Sequence, residues 1–275
     1  MKLSALILLN FLALSCVQGT KESIVTGGSM SSSAPGVWLN DKAAFPKTIR
    51  ISTGFYTKQE EADAIVNTLN AWETGVGYNF FTVGASTSED AANVSNLRSL
   101  NDGVFGVYKL RDWPSEDFGY ASLAVTQIFG RGYNQGTADA YNVIYHADII
   151  LNDTKEFRTS ASGEGYDLET VMLHEFGHFL GLNHNYDKAA SVMYGYIDDT
   201  DERRVPKAKD IQDLKDRYSI GTSGSGGAQP TSRRFRPLNN DPGEEIHIIM
   251  QLQTNGDCVH KVNGVEYERH SVKLK

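Results

Sequence analysis

Cysteine is nearly absent from this 275-residue chain, which has only Cys16 and Cys258. A disulfide framework is therefore excluded. Basic charge is also short: 26 Lys and Arg stand against 34 Asp and Glu, a net charge of −8. A chain without a basic patch is a poor binder of nucleic acid, because neutralising phosphates supplies most of that affinity. Past the N-terminus no apolar run is long enough to cross a bilayer. What remains is ordinary globular composition, 40% hydrophobic, 10% aromatic and 22% charged, which excludes collagen, coiled coil and wholesale disorder. The length suits one large domain or two modest ones.

The first fifteen residues read as a signal peptide. Lys2 precedes the short apolar run Leu3–Ser15, which shows no polar face. Leu12-Ala13-Leu14-Ser15-Cys16 resembles a bacterial lipobox, which implies acylation of Cys16 and a membrane anchor; simple cleavage near Gly19 fits the same stretch. Small, polar residues then fill the segment up to residue 37, as in a flexible tether. The expected location is outside the cell or on its envelope as a lipoprotein.

Residues 38–221 read as one continuous unit. Thr48–Ser52 alternates like a strand, and Phe80–Val83, Val104–Leu110, Ser122–Ile128 and Val143–Asn152 are strand-like by their β-branched and aromatic content. Thr57 and Glu60 have capping-box spacing. Behind them Ala62, Ile65, Val66, Leu69 and Trp72 recur at helical spacing, which predicts a helix over Lys58–Glu73. Further helices are expected over Asp167–Leu180 and Lys207–Tyr218. Residues 222–245 have linker composition, and the tail 246–275 is expected to form a small hairpin around Thr254-Asn255-Gly256-Asp257.

One motif carries chemistry: His174-Glu175-Phe176-Gly177-His178-Phe179-Leu180-Gly181-Leu182-Asn183-His184. Residues i and i+4 lie on one helix face, so His174 and His178 can grip a single ion. Leu168, Met172, Leu173, Phe176, Phe179 and Leu180 fall on a separate arc, about 120–260° from His174, which assigns burial and chemistry to different faces. Glu175 sits at about 100°, near enough to touch an activated water without being a ligand. Gly181 tolerates positive φ, so it can end the helix and return His184 to the same ion. Three nitrogen ligands leave a coordination position open, the catalytic arrangement of Zn2+. At ordinary residue frequencies the five specified positions arise by chance with a probability of about 10⁻⁵ in such a chain.

The spacing HExxHxxGxxH resembles the metzincin signature of zinc metalloproteases, and Ser191-Val192-Met193-Tyr194 resembles the methionine turn that follows it. The Ser-x-Met-Tyr form, with Lys209–Tyr218 after it, is closest to the matrixin branch, bacterial matrixin-type peptidases included. The resemblance implies an α+β fold, an α/β-type sandwich: a twisted mixed sheet, two long helices above the cleft and a C-terminal helix below. It implies that Met193 floors the histidines, that Asp210 hydrogen-bonds the methionine turn, and that Ala147–Asn152 is the edge strand pairing with an extended substrate. Residues 194–206 would wall the specificity pocket. Asn185, Gly195 and Lys209 depart from the matrixin pattern, and no cysteine-switch propeptide is visible.

These features together predict an exported zinc endopeptidase with one catalytic Zn2+, Glu175 as general base and acid, and protein or peptide substrates. A monomer is expected, with no nucleic-acid partner and a membrane link only through Cys16. The rival is a zinc-stabilised surface or adhesion module without turnover; an enzyme acting on a non-peptide amide has no residue in its favour. His146 reads as structural or solvated. His247, His260 and His270 lack ligand spacing.

Overall fold

The structure, a computed structural model, describes residues 36–88, 101–137, 139–185, 187, 190–221, 241–254 and 257–271. The signal segment, Cys16, most of the tether, residues 222–240 of the linker, and Asn255 and Gly256 lie outside the described residues. The strands are β1 (Gly36–Trp38), β2 (Lys47–Ile51), β3 (Phe81–Val83), β4 (Phe105–Leu110), β5 (Ser122–Tyr133), β6 (Tyr141–Asn152), β7 (Phe157–Arg158), β8 (Tyr166–Asp167), β9 (Glu244–Gln253), β10 (Asp257–Val262) and β11 (Val265–Ser271). The helices are α1 (Gln59–Val76), α2 (Ser115–Phe118), α3 (Leu168–Phe179) and α4 (Ala208–Arg217).

The architecture is α+β, built on one mixed sheet of order β3-β2-β4-β6-β5-β9-β10-β11, with β1 also on β6. Pairing is parallel from β3 to β6 and antiparallel from β6 to β11. One face packs on α1, α3 and α4 through Ile49, Ile65, Trp72, Phe176 and Leu214. The other carries a smaller cluster of Tyr108, Phe118, Val125, Ile150 and Ile249.

α1 buries Ala62, Ile65, Leu69, Trp72 and Val76, and ends on Gly77 at φ 74°. The expected capping box does not form. Thr57 belongs to a short 3-10 turn, where its hydroxyl donates to the Gly54 carbonyl (2.7 Å), and Lys58 is the N-cap. α1 holds α3 through Trp72, whose indole N–H donates to the Leu173 carbonyl (3.0 Å). α3 begins at Asp167, whose carboxylate accepts from the Thr170 amide at 2.8 Å.

One further expectation is corrected, and another is extended. Ala147–Asn152 is not an edge: β5 pairs along one side of it and β4 along the other. The run Ala147-Asp148-Ile149-Ile150-Leu151 is buried throughout, the mark of a strand covered on both faces. The strands flanking the expected turn at 254–257 do pair, β9 antiparallel with β10, but they also join the main sheet. β9, β10 and β11 form a meander whose first strand pairs with β5 from Ser122 to Gly132. Ile246, Ile248, Met250 and Leu252 alternate along β9 into the main core, so this strand needs the sheet to bury it. At the other end, Gly36 and Val37, assigned to the tether, lie in β1, paired with Asn142 and Val143.

Candidate metal centre

α3 brings His174 and His178 one turn apart. The turn that follows depends on Gly181, which adopts φ +91°. A side chain there would also run into the Gly36 carbonyl of β1, so glycine is required twice over. The chain reverses, with the Gly181 amide on the His178 carbonyl (2.8 Å) and the Leu182 amide on the Gly177 carbonyl (2.9 Å). His184 arrives opposite the helix. The three Nε2 atoms of His174, His178 and His184 lie 3.0 Å from one another. An ideal tetrahedral ion with Zn–N of about 2.0–2.1 Å sets neighbouring nitrogens about 3.3 Å apart, so three imidazoles at this spacing fit zinc. These residues could hold a metal ion.

Each far nitrogen is engaged. His174 Nδ1 donates to the Val192 carbonyl (3.0 Å), and His178 Nδ1 to the Leu182 carbonyl (2.9 Å). His184 Nδ1 meets His260 Nε2 at 2.6 Å, the rings stacked with centroids 4.8 Å apart. Such contacts fix ring orientation and leave Nε2 facing inward. Burial pushes His174 down to about 3 and holds His178 well below the usual imidazole value. Both rings are thus neutral, the form that ligates. His260 was missed in the sequence because its place depends on strand pairing, not on spacing to the motif.

Glu175 lies at the same end of α3, with Oε2 accepting from the Thr126 hydroxyl (2.5 Å). Its Oε1 is buried with no hydrogen-bond partner among the described residues. Burial, only partly offset by the Thr126 bond, pushes the carboxyl up to about 8.

The expected division of α3 into a buried and an open face does not hold. Residues 170–182 are all buried, Glu175 and His174 at 0% exposure and His178 at 1%. A pocket lined by Asn183, Asn185, Met193, Lys209 and Asp213 reaches His184 but is not lined by Glu175, His174 or His178.

Met193 is buried against α3, where Gly177 makes room for it. Asp210, at the start of α4, accepts from the Ser191 hydroxyl, the Val192 amide (2.9 Å) and the Lys207 amide (2.9 Å). One carboxylate therefore caps α4 and grips the loop whose Val192 carbonyl orients His174. Residues 194–206 run back to the start of α3, where the Arg203 amide donates to Thr170 Oγ1 (2.7 Å) and Arg204 pairs with Asp167. His146 bonds Asp148 (2.9 Å) between Phe105 and Phe129 and is not in the histidine cluster.

Residues 126–219, from the middle of β5 to just past α4, match the matrixin family model. The chain is 38% identical over 76 residues to metalloendoproteinase 5-MMP of Arabidopsis thaliana, covering 27% of this chain and 21% of that protein. It is 34% identical over 77 residues to matrix metalloproteinase-21 of Cynops pyrrhogaster, covering 25% and 12%. It is 38% identical over 65 residues to matrix metalloproteinase-27 of Homo sapiens, covering 24% and 11%. The chain thus spans about a fifth or less of the length of these relatives. Fold, motif and matches agree in supporting a matrixin-like metzincin: residues 126–219, which carry the three histidines and the methionine turn, are similar to that family.

Proposed function

We propose that the protein is an exported zinc-dependent endopeptidase that hydrolyses peptide bonds in protein substrates, acting as a monomer. The observation that carries this reading is the convergence of three imidazoles beside a carboxyl group with one uncommitted oxygen. His174, His178 and His184 would hold the ion through Nε2. When bound, zinc supplies a Lewis acid that polarises a peptide carbonyl and makes water more acidic.

Glu175 moves the proton. Thr126 occupies Oε2, so Oε1 is the atom that takes a proton from water and returns it to the leaving amine. A carboxyl raised towards neutrality is suited to both transfers. Met193 and Asp210 keep the loop beneath the histidines in place. The leader and the lipobox-like Cys16 support export and a lipid anchor, and the mass of the mature N-terminus distinguishes acylated Cys16 from cleavage near Gly19. Among the described residues no helix is long and apolar enough to cross a membrane.

The enclosure of Glu175 favours the second reading, a surface module without turnover. Against it stands the cost of burying a carboxylate with an unpartnered oxygen, which a binding-only module has no use for. The test is casein hydrolysis through a cycle of phenanthroline and added zinc. Hydrolysis should stop on chelation and return with the metal; hydrolysis that survives complete zinc removal would refute the metallopeptidase reading.

A further inference from the structure

β5 is the strand that runs past Glu175, because Thr126 donates to both its carboxylate and its backbone carbonyl. Directly across the sheet from Thr126 is Met250 of β9, and directly across from Met250 is His260 of β10. Cross-strand partners project to the same face, so Thr126, Met250 and His260 stand in one row over the site. The row begins at the residue bonded to Glu175 and ends at the residue bonded to His184. The strand slot between them, beside β5, is where an extended peptide would place a bond between the general base and the metal ligands. β9 fills that slot along β5 from Ser122 to Gly132.

We infer that the C-terminal meander is an intramolecular occupant of the substrate-strand position, with β9 taking the edge of β5 and His260 latching it to His184. This rests on the peptidase reading above and adds its regulation. Three observations join here. β5 has β6 on one side and β9 on the other, so no edge beside Glu175 is free for a peptide. Glu175, His174 and His178 have essentially no accessible surface. Finally, the meander contacts the metal-ligand set through a side chain, His260, that is 2% exposed. Hydrolysis then requires β9 to leave β5, and its observed rate scales with the fraction of molecules in which it has left.

The test uses the full zinc-loaded chain. Arg131 and Glu245 are paired across β5 and β9 and are 43% and 57% exposed. Paired strand residues have Cα separations of about 4.5–5.5 Å, within disulfide range. The double variant Arg131→Cys, Glu245→Cys, once oxidised, should hydrolyse casein about tenfold or more slowly than the same protein reduced, at unchanged zinc content. Equal rates, with the cross-link verified by mass, would show that β9 stays docked during turnover and overturn the inference.

Amide hydrogen exchange on the unmodified protein gives a second reading without activity. β9 and β10 should exchange through a local opening that leaves β6 and α3 protected. Exchange of β9 only in step with β6 and α3 would overturn the inference too. Local opening of β9 without casein hydrolysis in either redox form would instead overturn the peptidase reading and leave the closure standing.

Discussion

Met193 packs against the bare α-carbon of Gly177, so closely that a β-carbon at Gly177 would overlap its sulfur. The same β-carbon would lie 3.2 Å from the Trp72 ring, so the added methyl meets a second, rigid side chain. Glycine to alanine in a helix interior ordinarily stabilises by about 0.5–1 kcal/mol. Here Gly177→Ala should do the reverse, lowering stability by about 1–3 kcal/mol through overpacking. Thermal unfolding of the metal-free variant checks this; a midpoint at or above the parent's would contradict it.

Asp210 stands at a junction of three donors, and Asp210→Ala leaves the Ser191 hydroxyl and the Val192 and Lys207 amides without their acceptor. Loss of stability by about 2–4 kcal/mol is expected, read from denaturant unfolding. Because the Val192 carbonyl orients His174, zinc affinity measured by chelator competition should also fall, by about tenfold to a hundredfold. Unfolding that shifts while zinc affinity stays at the parent's value would separate the methionine turn from the metal.

How far the site was legible follows from how local its geometry is. His174, His178 and Gly181 could be placed from spacing, since helix periodicity and a positive-φ stop are properties of neighbouring residues. His260 could not: its position beside His184 comes from β9 pairing with β5, about 120 residues earlier in the chain. The alternation of Ile246, Ile248, Met250 and Leu252 was the available sign that the tail joins a core. Ala147–Asn152 is not an edge, and the consecutive apolar residues Ile149-Ile150-Leu151 were the available sign of burial on both faces. Thr57 shows that a local pattern can lose to its surroundings, since its hydroxyl closes the preceding turn instead of the helix.

The metal-free protein should be most stable in mildly acidic solution. Glu175 is raised by burial from 4.5 to about 8, so its contribution is complete below its ordinary value and is lost as pH rises through about 8. His174 is lowered by burial from 6.5 to about 3, and His178 is lowered as well. Their contribution is complete above 6.5 and fades as pH falls towards the depressed values. Glu175→Gln removes the first effect only. Without metal its melting temperature should gain on the parent's between about pH 5 and about pH 8.5. Curves that stay parallel over that window would contradict the assignment.

The most direct measurement is casein hydrolysis by zinc-saturated Glu175→Gln beside the zinc-saturated parent, both at one zinc per chain by elemental analysis. If three imidazoles hold the ion while Glu175 only moves protons, the variant keeps its zinc and its rate falls by about 10²–10⁴-fold. A variant that holds zinc and hydrolyses casein as fast as the parent would contradict the account.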